Sequence, residues 1–154
     1  MLRLLPLALL LSAFFLGACD ENVSPRKQAE IDRGLIEAYV AEKGLAGQFT
    51  ESGLYYVIES PGTGDDFPSA SSTVEIIYKG YLLDGTVFDD SEGFPTLLNL
   101  GSVIAGWREG LQLFKRDAKG KLIIPSGLAY GTASPSSLIP KNSVLVFDIE
   151  LLDF

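Results

Sequence analysis

Apolar residues recur at three- and four-residue spacing early in the chain, where Ile31, Leu35, Ile36, Tyr39 and Val40 form one stripe. Arg26, Lys27, Glu30, Arg33, Glu37 and Glu42 lie mostly outside it. That period predicts an amphipathic helix. Its ends are signalled as well: Ser24 suits the N-cap, Pro25 the first helical position, and Gly44 the left-handed residue just past the last turn. The stripe is expected to pack on the rest of the domain. Pairing of two copies through this helix is the alternative, and Gly34 weakens its middle, so a monomer is the expectation and a dimer the rival.

Beyond Gly53 the period shortens. Runs rich in β-branched and aromatic residues at 54–59, 74–82, 87–88, 96–100, 121–124 and 144–152 alternate with clusters of Gly, Pro, Ser and Asp, the pattern of a mostly antiparallel sheet. Asp84-Gly85 predicts a hairpin between 74–82 and 87–88, because glycine accepts the positive φ such turns need. A short helix is expected over 107–115, with Gly120 closing the loop behind it. The fold class is therefore α+β: one antiparallel sheet wrapped around one short α-helix and preceded by an N-terminal helix. Gly62-Thr63-Gly64 lacks the Lys-Ser/Thr of a phosphate loop and reads as a turn.

Composition narrows the chemistry. With 12 Lys+Arg against 20 Asp+Glu the net charge is -8, which does not suit a nucleic-acid partner. The sequence has no histidine, so imidazole acid-base catalysis and Ser-His-Asp or Cys-His nucleophiles are out. Asp89 and Asp90 are adjacent on a strand and face opposite ways, with no further ligands spaced nearby, so no metal is expected. No cofactor is implied. Length allows one cored domain with an appendage, divided here as 1–18, 19–52 and 53–154.

The first part reads as an address. Met1 and Arg3 precede an apolar run from Leu4 to Leu16, shorter than the roughly 20 residues a spanning helix needs. It ends in Leu16-Gly17-Ala18-Cys19, which resembles the lipobox of bacterial lipoproteins, where cleavage leaves a diacylglyceryl cysteine at the new N-terminus. Residues 1–18 would then be a lipoprotein signal peptide. Cys19 would be the lipidated residue holding a tether at a bacterial cell-envelope membrane, with the domain facing the periplasm or the exterior. A plain secretory signal with an incidental cysteine is the alternative. Asp20 resembles an inner-membrane retention signal of enterobacterial lipoproteins, a rule that does not transfer outside them, and the choice of membrane stays open.

Val74-Glu75-Ile76-Ile77-Tyr78-Lys79-Gly80, Asp84-Gly85-Thr86-Val87-Phe88-Asp89 and Val103-Ile104-Ala105-Gly106-Trp107 follow one another in the sheet region. Pro125-Ser126-Gly127-Leu128-Ala129-Tyr130-Gly131, Leu138-Ile139-Pro140 and Val144-Leu145-Val146-Phe147-Asp148-Ile149-Glu150-Leu151 complete the series. In this order and approximate spacing they resemble the FKBP-type peptidyl-prolyl cis-trans isomerases, over about 74–154. The resemblance implies a curved sheet around a short helix with an apolar pocket between them. It also implies isomerase activity on proline-containing polypeptides, here exported ones, and a macrolide as a candidate ligand.

By that resemblance Trp107 floors the pocket, and Tyr78, Phe88, Val103, Ile104 and Phe147 form its walls. Tyr130 offers its hydroxyl to a substrate carbonyl, the Ile104 amide binds a neighbouring one, and Asp89 orients Tyr78. Leu138 and Ile139 overhang the mouth. Taken alone, Trp107 reads as core, Asp89 as a turn residue and Tyr130 as a cap on its own turn. The sequence departs from the family pattern in three places. Thr96 stands where an aromatic wall residue is common, with Phe94 and Leu98 as neighbours. The 132–137 loop differs from the cytosolic forms, and Tyr81 is bulkier than usual. A binding module or chaperone that has kept the pocket without turnover is the rival function.

Overall fold

The structure is a computed structural model that describes residues 23–154. Cys19 and the signal-peptide reading lie outside the described residues. Helix α1 spans Pro25–Lys43 with the caps the sequence suggests: the Ser24 side chain accepts from the Lys27 amide at 3.3 Å, and Gly44 closes the helix at φ 64°. No helix among the described residues is long and apolar enough to cross a membrane.

Seven antiparallel strands form one sheet. They are β1 (Gln48–Phe49), β2 (Tyr55–Ser60), β3 (Thr73–Leu82), β4 (Val87–Asp90), β5 (Thr96–Asn99), β6 (Ala118–Ile124) and β7 (Leu145–Asp153). Their order is β1-β2-β6-β7-β3-β4, and β5 shares the outer edge of β3 with β4. The handover between those two falls at Tyr78. There Ser91 stands in for the ladder: its amide donates to the Tyr78 carbonyl at 3.0 Å and its hydroxyl accepts from the Tyr78 amide at 3.0 Å. The predicted β3–β4 hairpin is present, with Gly85 at φ 89° and the Asp84 carboxylate holding the Thr86 amide.

Alternation sends the two sides of the sheet to two cores. From β6 and β7, Leu122, Ile124, Leu145, Phe147, Ile149 and Leu151 pack with Trp107, Leu111 and Phe114. Ile123 and Val146, with Tyr55, Val57 and Val144, face Ile36 and Tyr39 of α1. The packing of α1 on the domain is as expected, but its buried stripe is rotated. Asp32, Ile36 and Tyr39 are buried, while Ile31 and Leu35 are more than two-fifths exposed. A carboxylate takes the inward position because it has a partner on the domain, described below. Tyr81 also belongs to this side: its hydroxyl donates to Asp148 at 2.9 Å, which also pairs with Lys121.

Helix α2 differs from the sequence expectation. It runs Ala105–Gly110 and tightens into a 3₁₀ turn over Leu111–Leu113, after which Phe114 is extended. Gly106 and Gly110 explain both the position and the brevity. A Cβ would fall 2.3 Å from Ile124 Cγ2 at the first and 2.6 Å from Leu122 Cδ2 at the second. The helix thus lies flush on β6 along a glycine face, and two glycines in so short a helix favour no extension. Gly120 does not close a loop. It lies inside β6, which begins at Ala118, and the turn is made instead by Asp117 at φ 60°.

Candidate functional site

Between the inner face of the sheet, the start of α2 and the loop after β6 lies a recess of about 490 Å³. Its lining brings together Tyr78, Phe88, Asp89, Val103, Ile104, Trp107, Tyr130, Ile139 and Phe147. All were anticipated from widely separated parts of the sequence.

The floor and walls are one chain of edge-on aromatic contacts. Trp107, only 4% exposed, meets Tyr78 at a centroid distance of 5.1 Å and Phe147 at 5.1 Å, and Phe147 meets Phe88 at 5.5 Å, all near perpendicular. Each such pair is worth about 0.5–1.5 kcal/mol beyond its buried area, so the cup is held open by its own walls. Gly80 makes the arrangement sterically feasible. It pairs with Phe147 on β7 and Asp89 on β4, and a Cβ there would fall 2.7 Å from both the Phe147 and Phe88 rings. The sequence carried a signal for this residue, since a lone glycine inside a strand pattern marks a close approach.

The polar groups sit at the edge. The Tyr78 hydroxyl donates to Asp89 Oδ2 at 2.9 Å. Burial first, and then the Asp89 hydrogen bond, push the Tyr78 hydroxyl up to about 12, so at neutral pH it stays a donor and holds the carboxylate in place. Asp90, next along β4, turns to the Glu92 amide and Lys79 instead. The Tyr130 hydroxyl caps no backbone group among the described residues, and the side chain is 39% exposed at the recess. Ile104 is the N-cap of α2; its carbonyl accepts from the Trp107 and Arg108 amides at 3.1 Å each. Its own amide precedes the helical ladder and is not used by it. Among the described residues no group of three or more His, Cys, Asp or Glu could hold a metal.

One sequence expectation needs correcting, and the wall residue that the sequence left open can be named. Leu138 does not overhang the recess: it is 47% exposed and outside the lining. Serines of its own loop set that shape. Ser134 donates to the Ser136 and Ile139 carbonyls, Ser136 accepts the Leu138 amide, and Pro135, Ser136 and Ile139 reach the recess while Leu138 is left at the tip. Neither Thr96 nor Phe94 completes the wall. The Thr96 hydroxyl turns back to the Phe94 carbonyl and Phe94 is 71% exposed, so Leu98, on the same side of β5 as Thr96, does so. Ser102 also lines the recess, and nothing in its local sequence marks it.

A curved antiparallel sheet and a short helix enclose an aromatic cup, with hydroxyl and carboxylate groups at its rim. Residues 64–152 match the family profile of the FKBP-type peptidyl-prolyl cis-trans isomerases, and the chain belongs to that family. It is 47% identical over 144 residues to the FKBP-type peptidyl-prolyl cis-trans isomerase FkpA of Buchnera aphidicola from Schizaphis graminum, covering 87% of this chain and 57% of that protein. With FkpA of Aeromonas hydrophila the identity is 50% over 143 residues, covering 86% and 53%. The chain thus spans little more than half the length of these curated relatives.

Among solved structures, FkpA from Escherichia coli superposes with a TM-score of 0.70 at 41% identity, covering 83% of this chain and 61% of that one. A peptidyl-prolyl cis-trans isomerase from Pseudomonas syringae pv. tomato gives 0.71 at 36%, covering 84% and 94%.

Proposed function

We propose that this protein catalyses cis-trans isomerisation of X-Pro bonds in exported polypeptides, from a membrane anchor at Cys19. The observation that carries the enzymatic part is the aromatic cup itself, floored by Trp107 and walled by Tyr78, Phe88 and Phe147, with Tyr130 uncommitted at its edge.

The reaction needs no nucleophile. Rotation about a peptide bond costs about 18–20 kcal/mol because twisting destroys amide resonance, and X-Pro bonds differ in having cis and trans forms of nearly equal energy. A catalyst must therefore bind the twisted amide better than either planar form, each ~1.4 kcal/mol of preference giving about tenfold in rate. Trp107, Phe147 and Phe88 accept the pyrrolidine ring and exclude water, removing solvation that favours the polar planar amide. The Tyr130 hydroxyl and the Ile104 amide donate to carbonyls flanking the proline and hold the chain while the bond turns. Asp89, fixed by Tyr78, places a carboxylate at the rim. This division of labour uses only groups that the sequence supplies without histidine.

The test is a protease-coupled assay on a short X-Pro peptide, using the soluble chain that begins after Cys19. Turnover by the wild type, reduced about tenfold or more in Phe88→Ala and in Asp89→Ala, is the expected result. Wild-type turnover no faster than both variants would leave a binding module that has kept the cup without the catalysis.

The anchor rests on the Leu16-Gly17-Ala18-Cys19 pattern behind its short apolar run. Several acyl chains, at about 0.8 kcal/mol per buried methylene, hold a protein on a bilayer where one does not. Mass spectrometry of the mature protein is expected to find an acylated N-terminal Cys19; an unmodified N-terminus elsewhere would remove the membrane from this proposal.

A further inference from the structure

A groove of about 840 Å³, larger than the aromatic recess, separates α1 from the segment after β6. Within it lies an arrangement that the proposed reaction does not account for. Asp32 is 1% exposed, on the inward stripe of α1 where the helical period calls for an apolar residue. A buried carboxylate costs several kcal/mol unless its oxygens are satisfied, and aspartate is a poor mid-helix residue besides. Here the oxygens are satisfied. Oδ2 accepts from the Ser126 amide at 2.8 Å and the Ser126 hydroxyl at 2.6 Å, and Oδ1 accepts from Gln28 Nε2 at 2.7 Å.

Ser126 is 1% exposed and sits just past the end of β6. While its amide and hydroxyl reach out to α1, its carbonyl reaches the other way, accepting the amides of Ala129 at 3.0 Å and Gly131 at 2.8 Å. Those two residues flank Tyr130. The Gly131 carbonyl in turn accepts the Asn142 amide at 2.7 Å. Ser126 is thus one of the holds on the turn that presents Tyr130 to the recess, beside the Leu128 amide on the Pro125 carbonyl at 2.9 Å and the Asn142 contact, and it is clamped by a carboxylate on a helix outside the family-matched stretch of 64–152.

Ile36 and Tyr39 also seat α1, on Tyr55, Val57, Ile123, Val144 and Val146. An alanine at position 32 would suit the helix better. A local rule broken with full compensation marks a functional constraint.

We propose that Asp32 is a positioning residue of the prolyl site: through Ser126 it fixes the turn 126–131 and so the place of Tyr130. This rests on the reading of the aromatic recess as that site. A placement error of about 1 Å can cost a reacting constellation up to about a hundredfold in rate, so a loosened turn is expected to be visible in turnover while the protein remains folded.

The experiment compares wild type, Asp32→Ala and Asp32→Asn, measuring kcat and KM on the X-Pro peptide and residue-resolved amide hydrogen exchange. Asp32→Ala should lower kcat/KM by about tenfold and speed exchange at Ala129 and Gly131 by about tenfold, with β3 and β7 still protected. Asp32→Asn, which keeps an oxygen facing Ser126, should recover most of both.

The proposal is overturned if Asp32→Ala keeps wild-type kcat/KM and exchange, if exchange rises equally throughout the domain, or if Asp32→Asn is as impaired as alanine. Should Asp32→Ala not fold, Ser126→Ala, which removes only the hydroxyl arm, is read by the same measurements. Absence of turnover in the wild type would sink the isomerase reading. Exchange at Ala129 and Gly131 would then decide the clamp by itself.

Discussion

Trp107→Ala is expected to lower the unfolding free energy by about 3–5 kcal/mol and to take X-Pro turnover to background. The stability loss follows from burial: the indole is 4% exposed and contacts Tyr78 and Phe147 edge-on, so its removal leaves a cavity beneath two rings that lean on it. The loss of turnover follows from the same geometry, because the cup loses its floor.

Trp107→Phe separates the two effects. Among the described residues the buried indole Nε1 meets no hydrogen-bond partner, a deficit of about 1–3 kcal/mol that phenylalanine does not carry. That gain offsets much of the smaller cavity, and stability should change little. Urea unfolding followed by circular dichroism measures the first quantity and the protease-coupled assay the second. If Trp107→Phe unfolds with wild-type stability and also turns over at the wild-type rate, the ring surface alone suffices and the indole has no special part. Wild-type turnover by Trp107→Ala would end the assignment of the floor.

Gly120→Ala should also damage the fold, although it adds a single methyl group. The added Cβ would lie 1.9 Å from the Val57 carbonyl oxygen and 3.2 Å from the Phe114 ring. The closer obstacle is backbone, so no rotamer change relieves it, and β2 must move away from β6. The expected cost is at the upper end for overpacking, about 3 kcal/mol or more. Displacing β2 also shifts Tyr55 and Val57, on which α1 is seated, so loss of the α1 contact should accompany the drop in midpoint. A midpoint within experimental error of wild type would show that β2 yields freely at that point. Gly34→Ala provides the contrast, since a Cβ there meets nothing within 4 Å, and a helix interior gains from the exchange.

The aromatic cup was legible in the sequence because its members sit in short motifs whose order and residue types are local facts. Tyr78, Phe88, Asp89, Trp107, Tyr130 and Phe147 arrive at one recess from strands, helix and loop. Leu138 was drawn toward the pocket by its neighbour Ile139, but serine hydroxyls folded the loop so that the two diverge. Thr96 and Leu98 share one side of β5, the sequence leaves open which residue completes the wall, and it is Leu98 that lines the recess. Gly120 reads as a loop end in the sequence, whereas Gly80, Gly106 and Gly120 each mark a place where another element comes too close for a side chain.

By itself the sequence determined helix α1 with both its caps, strands β2 to β7 in outline, the β3–β4 hairpin and the set of aromatic and acidic side chains from which a prolyl site can be built. Periodicity and turn chemistry act over a few residues, and that range is enough for those features. Only the tertiary structure decided which stripe of α1 faces inward, how closely α2 lies on β6, and that Asp32 meets Ser126 across 94 residues of chain. These depend on where separately formed elements come to rest against one another. No local spacing encodes that outcome, because the interaction energies that settle it arise between elements far apart in the chain.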